Sequence, residues 1–154
     1  MNLNVIFENG VYITDPCYQT NVWCNQLVQD VKKGIWSIEY EKNEECVILQ
    51  LFHVDYGKEI FKNGVYDRKE ISTELGVDSG TIGVFDKDYY EKYHYPNSID
   101  EEWYNKYVCE SDVNNCINIT NSYGVFVSTF YGDGEYYATL FYKDNKVCGI
   151  QIVC

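Results

Sequence analysis

The sequence predicts an α+β protein that is mainly antiparallel β, arranged as a sandwich or a strongly curved sheet with one or two helices packed on it. Three observations predict this fold class. Apolar stretches over 123–131, 135–142 and 146–154 are separated by short turns, which is typical of an antiparallel meander. A nearly continuous apolar run over 46–54 indicates a central strand covered on both faces. A helix-start pattern at 98–101 indicates that a helix accompanies the strands.

The N-terminal part is predicted to hold a hairpin and then a helix. Apolar runs over 3–7 and 11–14 flank Asn9-Gly10, the strongest two-residue hairpin signal. Apolar residues then recur at helical spacing over 22–33, and the glycine that follows at 34 is typical of a helix end.

The middle of the chain is predicted to alternate between strands and loops. Residues 35–41 alternate in polarity and predict a strand, whereas the polar, glycine-containing stretch 55–68 predicts a loop. Residues 69–77 lead into a stretch over 76–86 with glycines at 76, 80 and 83. Such a stretch forms either a tight hairpin or the rim of a binding site, and the sequence leaves both open.

Two helical segments and a loop are predicted next. Residues 87–95 are rich in Tyr, Lys, Asp and Glu and predict about one helical turn. Ser98 and Glu101 form a capping-box pattern, with Ser98 as the N-cap of a helix over 99–109. The asparagine-rich segment 114–122 is predicted to be a loop. The residues expected to be buried by the second helix are Ile99, Trp103 and Tyr107.

Charge limits the partners of this chain. Its 154 residues fit one domain over 1–154 and carry 12 basic against 24 acidic side chains, a formal net charge of −12. Such a field repels nucleic acids and anionic membranes. A basic protein, a metal ion or a small molecule remains as a partner. Because no secretion signal and no membrane-spanning apolar run is visible, we expect a cytoplasmic protein.

The sequence contains no recognisable catalytic or cofactor-binding motif. Its seven cysteines lack Cys-x-x-Cys spacing, and we expect most of them to be buried free thiols. Cys17, after Asp15-Pro16, is the best candidate for a reactive cysteine. His53 lies in the apolar run and is expected to be a core histidine, whereas His94 is expected at the surface. These features favour a binding protein over an enzyme, and no cofactor or resident metal is predicted.

Three loops are predicted to carry binding chemistry, at 15–18, 78–81 and 131–137. Each combines a carboxylate, small residues and an aromatic ring, and Trp23 and Ser128 lie close to two of them in sequence. If the loops meet, they form a cleft with acidic groups, hydroxyls and stacking faces. The candidate ligand-binding residues are Asp15, Cys17, Tyr18, Trp23, Asp78, Ser79, Thr81, Ser128, Tyr131, Asp133 and Tyr136.

Three motifs together resemble those of a family of small uncharacterised proteins from phages and bacteria. They are ITDPCY at 13–18, GVDSG followed by Gly83 and Phe85-Asp86, and YGDG at 131–134 followed by Tyr136. The resemblance extends over nearly the whole chain, although members usually carry Gly where this chain has Glu135. It implies no particular reaction. Its phage membership suggests a protein that counters host defence.

Two functional hypotheses follow. The first is a small-molecule binder that captures a nucleotide-type immune signal, with rings stacking the base and glycine-flanked N–H groups holding phosphate. The second is an acidic module that blocks a basic site on a host protein. A small hydrolase that uses Asp78 and Asp133 is a weaker third hypothesis, and self-association into a homo-oligomer stays open.

Overall fold

Two antiparallel β-sheets pack face to face in the computed structural model of the chain, which describes residues 3–95, 98–109 and 117–154. The predicted fold class is therefore confirmed: the protein is a β-sandwich with two helical segments packed on it. Among the described residues, no helix is both long and apolar enough to span a bilayer.

Most of the described chain lies in strands. The strands are β1 (Leu3–Phe7), β2 (Val11–Thr14), β3 (Gln26–Val28), β4 (Gly34–Lys42), β5 (Val47–His53), β6 (Lys69–Val77), β7 (Thr81–Asp86), β8 (His94–Tyr95), β9 (Ser98–Ile99), β10 (Ile117–Thr120), β11 (Gly124–Ser128), β12 (Gly134–Lys143) and β13 (Lys146–Val153). The helical elements are a 3₁₀ helix (Lys58–Phe61), α1 (Lys87–Tyr93) and α2 (Glu101–Tyr104), which continues as a π-helical turn (Asn105–Cys109).

The six-stranded sheet has the order β1-β4-β5-β13-β12-β6, and the five-stranded sheet has the order β10-β11-β7-β2-β3. The inner faces of both sheets share one hydrophobic core, in which Trp36, Leu49 and Val84 are fully buried. A second cluster lies on the outer face of the five-stranded sheet, where Tyr90 of α1 and Trp103 of α2 pack. The helices therefore cover one face of the sandwich.

Neighbouring strands in the sequence often lie in different sheets, and this overturns one predicted hairpin and excludes the hairpin alternative for another segment. The hairpin at Asn9-Gly10 is wrong, because β1 pairs with β4 while β2 pairs with β3 and β7. Similarly, the stretch 76–86 is a corner between sheets, since β6 pairs with β12 and β7 pairs with β2 and β11. Turn residues predict that the chain bends, but they do not predict which strands pair with each other on either side of the bend.

The C-terminal meander is confirmed only in its second half. β12 and β13 form a hairpin through Asp144 and Asn145, which both have positive φ (52° and 64°) as such a turn requires. β11, however, pairs with β7 and β10 in the opposite sheet.

The helix predicted over 22–33 is wrong. Residues 26–28 form β3, which pairs with β2, and Asn21 has a left-handed φ of 61° just before the segment. Its apolar pattern does not define one buried face, because Trp23 is exposed while Val28 and Val31 enter the core. Strand pairing therefore overrides a weak helical pattern in a segment that contains β-branched valines.

The start of the second helix is shifted from the prediction. Asp100 is the N-cap, and its carboxylate accepts a hydrogen bond from the Trp103 N–H at 3.0 Å. Ser98 and Ile99 instead pair with β8, so Ile99 is not a helical residue. The predicted turn over 87–95 is confirmed as α1. Of the loop predicted over 114–122, residues 114–116 lie outside the described residues and 117–120 form β10.

Candidate functional site

Asp15 lies where β2 ends, and its fully buried carboxylate joins two distant loops. Oδ2 accepts from the backbone N–H groups of Asp78 (2.8 Å) and Ser79 (2.7 Å). Oδ1 accepts from the Cys17 N–H at 2.9 Å and the Ser79 hydroxyl at 2.6 Å. Three of these four hydrogen bonds fix the second loop to the first through one buried anion, and hydrogen bonds to an ionised group are the stronger class in proteins.

Further contacts strengthen this junction. The Tyr18 hydroxyl donates to the Asp78 carboxylate at 2.7 Å, and burial together with this carboxylate raises the pKa of Tyr18. The Gly76 N–H donates to the Cys24 carbonyl at 3.0 Å. A Cβ at Gly76 would lie 3.0 Å from the Cys24 Cβ, so this close approach favours glycine.

The third loop joins the second through Gly80. The Thr129 N–H donates to the Gly80 carbonyl at 2.9 Å, and the Tyr136 hydroxyl donates to the Gly132 carbonyl at 2.8 Å. Asp133 is close as well, since its Oδ1 lies 4.0 Å from the position that a Gly80 Cβ would take. All three predicted loops therefore meet at one end of the sandwich.

Buried rings support the first loop from below. His94 places Nε2 3.0 Å from the Pro16 carbonyl and Nδ1 3.2 Å from the Tyr90 carbonyl. Its ring stacks on Tyr90 with the centroids 3.8 Å apart, and the Tyr90 hydroxyl donates to the Tyr18 carbonyl. The surface position predicted for His94 is therefore wrong. It is fully buried, and burial lowers its pKa from 6.5 to about 4.

The structure also shows the surroundings of His53 and of the cysteines, the other residues whose side chains could take part in catalysis. His53 is a satisfied core histidine, as predicted, because Nε2 contacts the Lys33 carbonyl at 2.9 Å and Nδ1 accepts from the Asp55 N–H. Burial, followed by the nearby Asp15 charge, raises the pKa of Cys17, so its thiol stays protonated at neutral pH and is a poor nucleophile. The described cysteines are free, but Cys109 is exposed and only three of them are buried: Cys24, Cys148 and Cys154.

The predicted binding residues divide by exposure. Asp15 and Tyr136 are buried and hydrogen-bonded within the chain. Cys17, Tyr18 and Thr81 are half-buried. The exposed ones are Trp23, Asp78, Ser79, Ser128, Tyr131 and Asp133.

Glycine-flanked N–H groups in the second or the third loop are expected to hold phosphate, and two of those in the second loop already bind an anion. The N–H groups of Asp78 and Ser79 point at the carboxylate of Asp15, an anion that belongs to the protein itself. A phosphate at this position would have to displace that buried carboxylate. The sequence could not reveal this, because the two partners are 63 and 64 positions apart.

Of three further exposed residues at this end, Glu74 lies outside the predicted loops, whereas Glu135 and Tyr137 lie in the loop 131–137 but not among the candidate binding residues. Tyr137 lies opposite Glu74 in the pairing of β12 with β6, and Glu135 lies two pairs further along, on the same face. A hydrogen bond from Glu135 and its negative charge raise the pKa of Glu74, so the two carboxyl groups are neighbours. Their signal in the sequence is the alternation of exposed and buried residues along both strands.

We define the acidic platform as residues 15–26, 74–81 and 128–137. Its exposed rings are Trp23, Tyr131 and Tyr137, which are 87%, 72% and 58% exposed. No Lys or Arg occurs in any of the three segments. The exposed carboxylates of the platform are Glu74, Asp78, Asp133 and Glu135.

No family model, curated protein or solved structure matches this chain. The resemblance to phage and bacterial proteins therefore stays a prediction. Within the described ranges, no three His, Cys, Asp or Glu side chains are grouped closely enough to hold a metal ion.

Proposed function

We propose that this protein is an interaction module that binds a positively charged protein surface through the acidic platform. The observation that carries the proposal is the composition of the platform, which exposes carboxylates and aromatic rings without a single basic residue. Carboxylates pair with Lys and Arg, and ring faces attract the same cations. The net charge of −12 adds long-range attraction for a basic partner.

The interior of the platform suits this role because hydrogen bonds within the chain hold its three loops together. Asp15, Tyr18 and Thr129 link the three loops through hydrogen bonds within the chain. A surface that is already ordered loses little conformational freedom on binding. Blocking a basic site on a host protein is the biological role that this chemistry supports.

Capture of a nucleotide is the second candidate function, and the meeting of the three loops is the observation that favours it. Two features oppose it. The N–H groups of Asp78 and Ser79 are already bonded to Asp15, and a phosphate would approach the exposed carboxylates of Asp78 and Asp133. Nucleotide capture and a phage origin stay predictions.

The proposal is tested with two variants of equal net charge. Glu74→Gln, Asp133→Asn and Glu135→Gln remove three platform charges, whereas Glu44→Gln, Glu45→Gln and Glu102→Gln remove three exposed charges elsewhere. Both variants change the formal charge from −12 to −9. Binding of an arginine-glycine repeat peptide is measured by calorimetry at about 0.15 M salt, where distant exposed charges are screened.

We expect the platform variant to lose about tenfold or more in affinity and the matched control to lose less than about threefold, which corresponds to about 1.4 and 0.7 kcal/mol. Equal losses in both variants would mean that only total charge matters and would contradict the proposal. In parallel, the purified protein is incubated with cyclic and ADP-ribose-type nucleotides and then heated. Release of a retained nucleotide would favour the second candidate.

A further inference from the structure

The strand β6 is an open edge of the six-stranded sheet. In the described part of the chain it pairs with β12 only, just as β3, at the edge of the other sheet, pairs with β2 only. The two edges touch at one end, where the Gly76 N–H donates to the Cys24 carbonyl and the Gln26 side chain reaches the Glu74 carbonyl. Beyond this contact the edge of β6 continues to Lys69.

The pairing register shows which backbone groups of β6 are free. The pairing with β12 is uninterrupted from Val77 to Lys69, and the Gly76 N–H is directed away from β12, toward Cys24. In an antiparallel pair, residues alternate between bonding to the partner strand and pointing away from it. Ser72 and Glu70 therefore direct their N–H and C=O groups outward, and so does Glu74, whose carbonyl already accepts from the Gln26 side chain at 3.5 Å.

A groove runs beside these free groups, between the two edges. It has a volume of about 480 Å³ and is lined by Leu27 and Val28 on one side and by Ile71 and Leu140 on the other. It continues into a second groove of about 680 Å³ that shares Ile71. Ile71 is 37% exposed although its neighbour across the pair, Leu140, is buried. The edge therefore combines unpaired backbone groups with a few apolar side chains, in a groove whose other lining residues include Gln26, Gln29 and Asp30.

We propose that the free edge of β6, Glu70–Glu74, accepts an extended cationic segment of a partner protein as an additional strand. This inference rests on the proposed function, because it assigns the shape of the basic partner. Added strands gain affinity from main-chain hydrogen bonds and specificity from alternate side chains. Lys or Arg at every second position would lie beside Glu74 on the outer face, and the apolar residues between them would face Ile71.

Charge decides between a foreign strand and a second copy of this chain. If β6 paired antiparallel with β6 of a second copy over its whole free edge, the pairing would be centred on Ser72. Glu74 of each copy would then lie opposite Glu70 of the other copy. Like charges directly opposite each other destabilise a strand pair. Arg68 already pairs with Glu70, whereas the carboxylate of Glu135 lies beside Glu74. A cation near Glu74 relieves this repulsion, which favours a basic strand over a homodimer.

The test compares peptides of equal composition. An octapeptide of alternating Lys and Val is measured against one with four Lys followed by four Val, using the wild-type protein and calorimetry. Two further versions of the alternating peptide are N-methylated at one or the other set of alternate amides, because only one set faces β6. We expect the alternating peptide to bind at least about fivefold tighter than the block peptide, and only one N-methylated version to lose binding.

Ser72 supplies a matched pair of protein variants. Ser72→Pro removes an outward N–H that β12 does not use, whereas Ser72→Ala keeps that N–H and removes only the hydroxyl. We expect Ser72→Pro to weaken the alternating peptide about tenfold and Ser72→Ala to leave it within about twofold. Thermal melting shows whether each variant is folded, and the N-methylated peptides test the same contact without changing the protein.

The outcomes separate the two proposals. If both Lys-containing peptides bind equally, both N-methylated versions bind as well, and only the platform variant is weakened, then strand addition is overturned and the proposed function stands. If neither the Lys-containing peptides nor the arginine-glycine repeat peptide binds, the proposed function itself fails. A concentration-dependent dimer that is lost in Ser72→Pro would show that β6 serves a second copy instead.

Discussion

Replacing the buried carboxylate of Asp15 is the most direct test of how the three loops are held. Asp15→Ala leaves the backbone N–H groups of Cys17, Asp78 and Ser79 without their acceptor. An unpaired buried donor costs about 1–3 kcal/mol. Because Asp78 and Ser79 are exposed enough for water to reach part of this junction, we expect a loss of about 3–4 kcal/mol in the free energy of unfolding.

A near-isosteric change separates charge from shape. Asp15→Asn keeps one acceptor oxygen but turns an NH₂ group toward N–H donors, and we expect an intermediate loss of about 1–3 kcal/mol. Asp133→Asn changes an exposed carboxylate of the same platform and is expected to stay within about 0.5 kcal/mol. The matched variants are compared by urea unfolding followed by circular dichroism.

Hydrogen exchange gives a local readout of the same perturbation. In the Asp15→Ala variant, the amides of Asp78 and Ser79 should exchange faster, whereas the amides of the β12–β13 hairpin should change only as far as global stability does. A loss below about 1 kcal/mol, with unchanged protection of both amides, would refute the view that Asp15 joins the loops.

Two further predictions concern the support of the platform. Burial lowers the pKa of His94 to about 4, so between pH 6.5 and 4 the unfolded chain binds a proton that the folded protein does not. The contribution of this residue to stability is therefore present above pH 6.5 and falls by about 3 kcal/mol between pH 6.5 and 4. NMR titration of the ring and a shallower pH dependence of stability in His94→Gln check this, and a ring that titrates near 6.5 would contradict it. Gly83→Ala should destabilise the protein by about 1–3 kcal/mol, because the new Cβ would lie 2.3 Å from the Val125 carbonyl oxygen and 2.7 Å from the Phe126 Cβ; thermal unfolding measures this, with Gly64→Ala, which meets no atom within 4 Å but has a φ of 81°, as a control for backbone strain alone.

Local patterns allowed the longer strands and one hairpin to be predicted, because their signals lie within a few residues, whereas the short strands β3, β9 and β10 were predicted as helix or loop. Alternation defined β4, and the Asp144-Asn145 turn marked the β12–β13 connection. Pairing between distant segments was not predictable in the same way. The turn at Asn9-Gly10 would serve a hairpin equally well, but β1 gains five paired residues with β4 and β2 gains partners on both sides.

The candidate site, like the fold, was predictable from the sequence only in part. Composition alone predicted that the three loops share a type of chemistry, and they do meet. The functional meaning of each carboxylate depends on burial, which the sequence does not encode locally. Asp15 and Asp133 look alike in their loops, yet one is fully enclosed by donors and the other is exposed to solvent.

The carboxylate beneath the loops also has a consequence for evolution. Because one internal anion satisfies the turn at Asp78 and Ser79, the outward-facing side chains of this end are not needed to keep its backbone in shape. Exchanging them should alter what the protein recognises at little cost to folding. A scaffold that separates these two tasks is well suited to following a target whose surface changes.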